Sequence, residues 1–447
     1  MRELRRIVMK RGARAAAALL TVSALLLSGT AVYAGIDPHT SYVGANFDTS
    51  TVVPTVKVQW SVIADKLPDD FRMNEGYVAA SSSTLFVIQS GKLLAIQART
   101  GKKLWSFGTH LKAPLLYEDG RIVVNSDSGN LYGVDAIKGK KLWTTSVPSK
   151  EATKLFADKG QLYVMNGDIQ AYRISDGKFL WKDNYSEQLP SDQLLVQGNR
   201  LLIENTESGA YMYSVLHAFD SSTGKEAWRL NNETFPIDAR GNNVISSRAQ
   251  TMFDHVMLTT LDTIDVQTGK VVKTQVYNPQ NIDVAKKDFY GPGHTWIIGD
   301  KVFIAYQSSV YSYPLNQDPS TVKREAYKLT GISDQATLAA GPYDGRLIFA
   351  YSGQVYGVKM VNNSPISYNA GMSNPVARFD IIGQGIYVAL TDGKLIATDL
   401  TTAKPVLQLQ TYARVFGKTI AVDGMIIVQT KGKMLAFPEP KQLKVKA

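Results

Sequence analysis

The chain has 447 residues, 44% of them hydrophobic, with 49 lysines and arginines against 39 acidic residues, five histidines and no cysteine. The missing thiols exclude disulfides, thiolate metal sites and a cysteine-linked lipid anchor, and a core of this size needs no covalent staple. The net charge of +10 is uneven: residues 1–34 carry six basic residues and one acidic one, leaving about +5 over the 413 that follow. With no arginine-rich or RNP-like segment, that balance excludes a nucleic-acid-binding composition.

At the N-terminus, MRELRRIVMKRGAR is basic and Ala15–Leu27 is apolar, with the small residues Val32 and Ala34 in the cleavage pattern. Residues 1–34 therefore read as a signal peptide cleaved after Ala34, implying a secreted or cell-wall-associated protein. The apolar run is too short for an ordinary spanning helix, so no membrane span is expected. Residues 35–55 form a polar, flexible lead. Val56–Ala64 then reads as a strand carrying Trp60 with no hairpin before it.

A repeated sentence follows: AIQARTGKKLW ending at Trp105, GVDAIKGKKLW at Trp143, AYRISDGKFLW at Trp181 and AFDSSTGKEAW at Trp228. The turn glycines Gly101, Gly139, Gly177, Gly224 and Gly269 are spaced by 38, 38, 47 and 45 residues. Glycine suits the tip of a tight connection, and Asp135, Asp220 and Asp265, four residues earlier, can accept bonds from the turn's own N–H groups. Apolar runs of strand length flank each turn. About four strands per period of roughly 40 residues is the signature of a propeller blade. A Trp fixed on the outer strand belongs between neighbouring blades, its indole N–H reaching a turn carbonyl.

Later copies drift. TIDVQTGKVVK has Lys273 in the Trp place, and ATDLTTAKPVL has Ala403 for Gly and Leu407 for Trp. Counting inner hairpins gives nine modules, with third strands near Leu94, Leu131, Ala171, Ala218, Ile264, Tyr311, Tyr356, Ile396 and Leu435. The last hairpin has no outer strand after it, so the Trp60 strand is expected to pair with Met434–Phe437 and close the ring. Closure removes an exposed edge. The domain layout is thus 1–34 signal, 35–55 lead, 56–440 propeller and 441–447 basic tail.

The A-x-D-x-x-T-G-K-x-x-W sentence resembles the repeat of PQQ-like, quinoprotein-type β-propellers, over about Val56 to Pro438. In length and layout the chain is similar to the YxaL-like secreted bacterial propellers. The resemblance implies an all-β, single closed propeller of four-stranded blades, eight by the family's norm. It also implies three functional classes: quinone-dependent dehydrogenases, an outer-membrane assembly subunit, and secreted propellers without known chemistry. The family's enzymes hold PQQ over Ca²⁺ with an Asp base and a ring of adjacent cysteines, which this chain cannot form.

No histidine pair has metal-ligand spacing, and no nucleophile elbow, Walker A loop or dinucleotide fingerprint is present. Asn125–Asn130 resembles the start of a calcium loop without its terminal Glu. No catalytic residue, cofactor-binding residue or metal ligand is assigned. Three connections exceed the repeat's needs, and Tyr277–His294 carries Phe289, Tyr290 and His294 as a candidate recognition loop. The expectation is a monomeric, non-enzymatic scaffold binding proteins, peptides or cell-surface polymers. The alternatives are a PQQ-dependent oxidoreductase and an envelope-assembly scaffold.

Overall fold

The structure, a computed structural model, describes residues 52–66, 77–147, 152, 154–165, 168–183, 189–190, 193–208, 211–285 and 290–444. The signal, most of the lead, Phe289 and residues 445–447 lie outside the described residues. The ring is built from nine antiparallel sheets. In chain order these blades span residues 78–107, 111–146, 154–183, 189–231, 238–277, 294–328, 337–367, 376–410 and 420–438. Nine replaces the eight of the family norm, and each of the nine third strands contains the residue expected of it. Blade 4 has a fifth strand, because Leu189–Pro190 and Leu195–Gln197 both pair with Arg200–Ser208.

Blade 9 takes its fourth strand from the other end of the chain. Trp60–Ile63 pairs antiparallel with Lys433–Ala436, Trp60 opposite Ala436. The N-terminal strand therefore closes the ring. Farther out, Val56 N donates to Gln408 O and Gln408 N to Pro54 O, both at 2.9 Å, so the end of the lead covers the outer edge of blade 8. The first residues of the basic tail also belong to the fold: Lys441–Leu443 forms a short 3₁₀ turn, and Leu443 is fully buried against blades 8 and 9.

Burial follows from blades packing face to face. In blade 1 the second and third strands each bury four consecutive residues, Leu85–Ile88 and Leu93–Ile96, as strands covered on both faces must. Nine apolar clusters each straddle two consecutive blades, and the last joins blade 9 to blade 1 through Trp60, Met425, Ile427, Leu85 and Val87. The core is thus a closed circle of seams. First strands of blades 1 and 2 and of blades 2 and 3 approach one another, and in a propeller the innermost strands surround the central channel.

The G-K-x-x-W spacing has a local cause. Ile96 pairs with Lys103 and Ala95 with Trp105, leaving Leu104 as an extra residue. This β-bulge recurs in blades 2, 3, 4, 5 and 8. A bulge bends the strand and re-aims the side chain that follows it, here toward the next blade.

Candidate functional site

The repeat residues form joints between blades. Indole N–H groups of Trp105, Trp143, Trp181 and Trp228 donate to Ala136, Ile174, Ser221 and Val266 of the next blade, at 3.2, 3.0, 2.9 and 2.9 Å. Trp60 makes the same bond to Ala98 of blade 1 at 2.9 Å. Each ring covers the glycine three residues after its acceptor. A Cβ at Gly101, Gly139 or Gly177 would come within 2.5 Å of Trp60, Trp105 or Trp143, and Gly224 and Gly269 are likewise covered by Trp181 and Trp228. Asp135, Asp220 and Asp265 cap the same turns, accepting N–H bonds from Lys138, Thr223 and Thr268 at 2.7, 3.0 and 2.9 Å. The Lys138 N–H in the first case, and the hydroxyls of Ser222 and Thr268 in the others, hold these carboxyls below the usual range.

One joint escaped sequence reasoning. Tyr368 of blade 7 is fully buried, and its hydroxyl donates to Leu400 O at 2.8 Å. Leu400 stands three residues before Ala403, the same place as every Trp acceptor. Burial raises the Tyr368 pKa to about 12, so it remains a donor. Tyr368 lies two residues beyond Ile366, the residue that occupies the Trp register opposite Gly357. A search for aromatics at fixed spacing therefore passes over it.

The candidate recognition loop is only partly brought together. Tyr290 stacks on Tyr306 at 5.5 Å and bonds Gln280, while His294 stacks on Trp296 at 5.6 Å. Trp296 in turn stacks on Phe303 at 5.4 Å, within the packing between blades 6 and 7. Residues 125–130 form the turn between the second and third strands of blade 2, where Ser126 Oγ accepts from Asn130 N at 3.1 Å.

A second constellation is a buried acid pair in blade 5. Asp262 is fully buried and receives Arg248 Nη2 at 3.2 Å and the Thr274 hydroxyl. Glu233, from the linker between blades 4 and 5, is 4% exposed beside it. Burial, then Asp262, push Glu233 up to about 8.

The channel holds a larger feature. A cavity of about 750 Å³ is lined by three consecutive blades: Ala339, Ala340, Ala350 and Gly353–Val355 of blade 7, Val376–Ile382 of the first strand of blade 8, and Lys418–Ala421 around the first strand of blade 9. Register slips in the first strands of blades 7 and 8 shape this wall. Phe379, Ile381, Val376 and Ile420 make it apolar. One buried ion pair crosses it. Arg378 Nε and Nη2 donate to Asp380 at 2.9 and 2.7 Å, and Asp380 also accepts from Thr419 N at 2.9 Å, tying blade 8 to blade 9. The R-x-D spacing puts both side chains on one strand face, a signal present in the sequence. A volume in this range suits an extended apolar segment or a small ligand.

The cavity does not fit a carboxylate-rich quinone held over Ca²⁺. Its buried guanidinium is already satisfied by Asp380, and its remaining wall is largely aliphatic. Among the described residues, no three His, Cys, Asp or Glu side chains converge to hold a cation.

The profile of a family described as outer membrane protein assembly factor BamB matches residues 53–156 and 155–340. No curated protein sequence matches. Among solved structures, BamB from Moraxella catarrhalis is 14% identical, with 87% of this chain and 100% of that chain covered and a TM-score of 0.44. The quinohemoprotein alcohol dehydrogenase from Comamonas testosteroni is 13% identical, with 88% and 77% covered and a TM-score of 0.46. At these scores the likeness does not bear on function.

Proposed function

The chain belongs to the BamB family of PQQ-type propellers, and we propose that within it this protein is a secreted, non-enzymatic binding scaffold that takes an apolar protein or peptide segment into its channel. The observation that carries this reading is the largely aliphatic wall that blades 7–9 form around about 750 Å³. Apolar surface exposed in a concavity marks a place where a partner is bound. The Arg378–Asp380 pair is satisfied within the wall, so it keeps the wall's shape rather than offering a free charge.

A fluorescently labelled model peptide rich in Leu and Val is expected to bind with an anisotropy rise that Ile381→Asp reduces at least tenfold. The rival reading, a PQQ-dependent oxidoreductase, is tested on the same preparation. Quinone absorbance that survives desalting after PQQ and Ca²⁺ are added, together with alcohol or sugar oxidation, overturns the proposal. An envelope-assembly role is a special case of the same binding, and cross-linking on intact cells tests it.

A further inference from the structure

We propose that the outer rim of blades 1–3 is a docking surface for an anionic lipid bilayer. This inference is independent of the channel. The turns between third and fourth strands all lie on one face of the ring, because every blade is threaded in the same order. In blades 1–3 those turns and the starts of the fourth strands carry Lys102, Lys103, Lys138, Lys140, Lys141 and Lys178, all exposed. None of the six has a carboxylate within ion-pairing distance among the described residues. Arg99 and Arg173 are paired, with Asp423 at 2.9 Å and Asp176 at 3.0 Å. The carboxylate of Asp135 is engaged by its own turn's N–H groups.

Large apolar side chains stand among these lysines. Ile137 is 83% exposed at the tip of the blade 2 turn, and the bulge residues Leu104 and Leu142 are 48% and 47% exposed. Phe179 is 46% exposed at the start of the blade 3 outer strand. None of them is required by the joint, which uses only the Gly, the Trp and the acceptor carbonyl. Cations interleaved with exposed apolar side chains are the pattern that binds an anionic membrane surface: charge draws the rim to the headgroups and the apolar tips enter the acyl boundary.

The remaining copies of the motif serve as an internal control. The segments Asp220–Trp228, Asp265–Lys273 and Asp399–Leu407 hold four lysines and four acidic residues. The three early segments, Ala95–Trp105, Gly133–Trp143 and Ala171–Trp181, hold eight basic residues against two acidic ones. Same turn, same bulge, different charge: the excess is not a demand of the fold.

All nine blades and the closing strand lie within residues 52–447, so the test uses that ring, free of the basic apolar segment at the N-terminus. It is expected to co-sediment with vesicles of phosphatidylglycerol and phosphatidylcholine at low salt, and not with phosphatidylcholine alone. Each lysine near such a surface is worth about fivefold in affinity. Lys138→Glu/Lys140→Glu/Lys141→Glu should therefore lower binding by more than a hundredfold with an unchanged unfolding midpoint. Ile137→Ser/Leu142→Ser should lower it at least fivefold. Binding to neutral and anionic vesicles alike, or to neither, overturns the proposal. So does loss of binding on lysine reversal alone with the serine variant unaffected, which would show that the apolar tips do not enter the bilayer.

Discussion

The seams from blade 9 through blade 5 are held by one device, and the seams from blade 5 back to blade 9 by several. At five seams a buried or half-buried Trp covers a turn glycine and bonds the carbonyl three residues before it. Elsewhere, Gln275 of blade 5 donates to Gln317 O of blade 6 at 2.9 Å, and Asn363 of blade 7 donates back to Ala326 O of blade 6 at 3.2 Å. Tyr368 joins blade 7 to blade 8, and the two ends of the chain fill the seam between blades 8 and 9. The contrast separates what a seam requires from one way of meeting it. A seam requires an apolar filler and a satisfied turn carbonyl, and several side chains supply both. The channel cavity lies on the side of the ring where the joint varies.

The sharpest way to break this comparison is to remove the filler from a Trp joint and only the hydrogen bond from the Tyr joint. Trp143→Ala takes away a side chain that is 7% exposed and should cost about 3–5 kcal/mol in urea unfolding. Tyr368→Phe keeps the ring and loses one hydrogen bond, so about 1 kcal/mol is expected. Equal losses would mean that the bonded carbonyl, rather than the apolar filler, carries the joint.

The seat beneath the ring offers the next test. Gly177 has φ +70° and sits against Trp143. Gly177→Ala should cost about 2–4 kcal/mol, combining left-handed strain with overlap. Ala403 occupies the corresponding place in blade 8 at φ +57°, where Tyr368 reaches the carbonyl by another route. Ala403→Gly should therefore stabilise the protein by about 0.5–1 kcal/mol, because strain is relieved and no ring is lost. A loss there would show that the alanine methyl is needed in the seam.

A separate test is a pH dependence confined to the linker into blade 5. Glu233 binds its proton more tightly in the folded protein, with a pKa raised from 4.5 to about 8. The folded state thus holds more protons than the unfolded one between those values. Stability is full below about pH 4.5 and falls as pH rises toward 8. Glu233→Gln should flatten this slope in thermal melts between pH 5 and pH 8.5. An unchanged slope would assign it to another group.

The fold was legible because its signals are local. Nine hairpins announce themselves by apolar runs and turn residues, and the unpaired strand at Trp60 points to the one hairpin lacking a partner. Tyr368 and the seams made by Gln275 and Asn363 were not legible, since each depends on where a side chain arrives rather than on its place in the repeat. Phe379, Ile381 and Ile420 read as ordinary core strand residues. Slips of register in the first strands of blades 7 and 8 help shape the cavity wall, and such a slip leaves no mark in composition.

The most direct test of the channel account uses the absence of native cysteine. An environment-sensitive fluorophore is attached to a single cysteine at Ala421, on the cavity wall, or at His294, beside the candidate recognition loop. Titration with the apolar model peptide should shift the emission of the Ala421 probe to the blue and leave the His294 probe unchanged. A response at His294 alone would contradict the account and move the binding site to the loop.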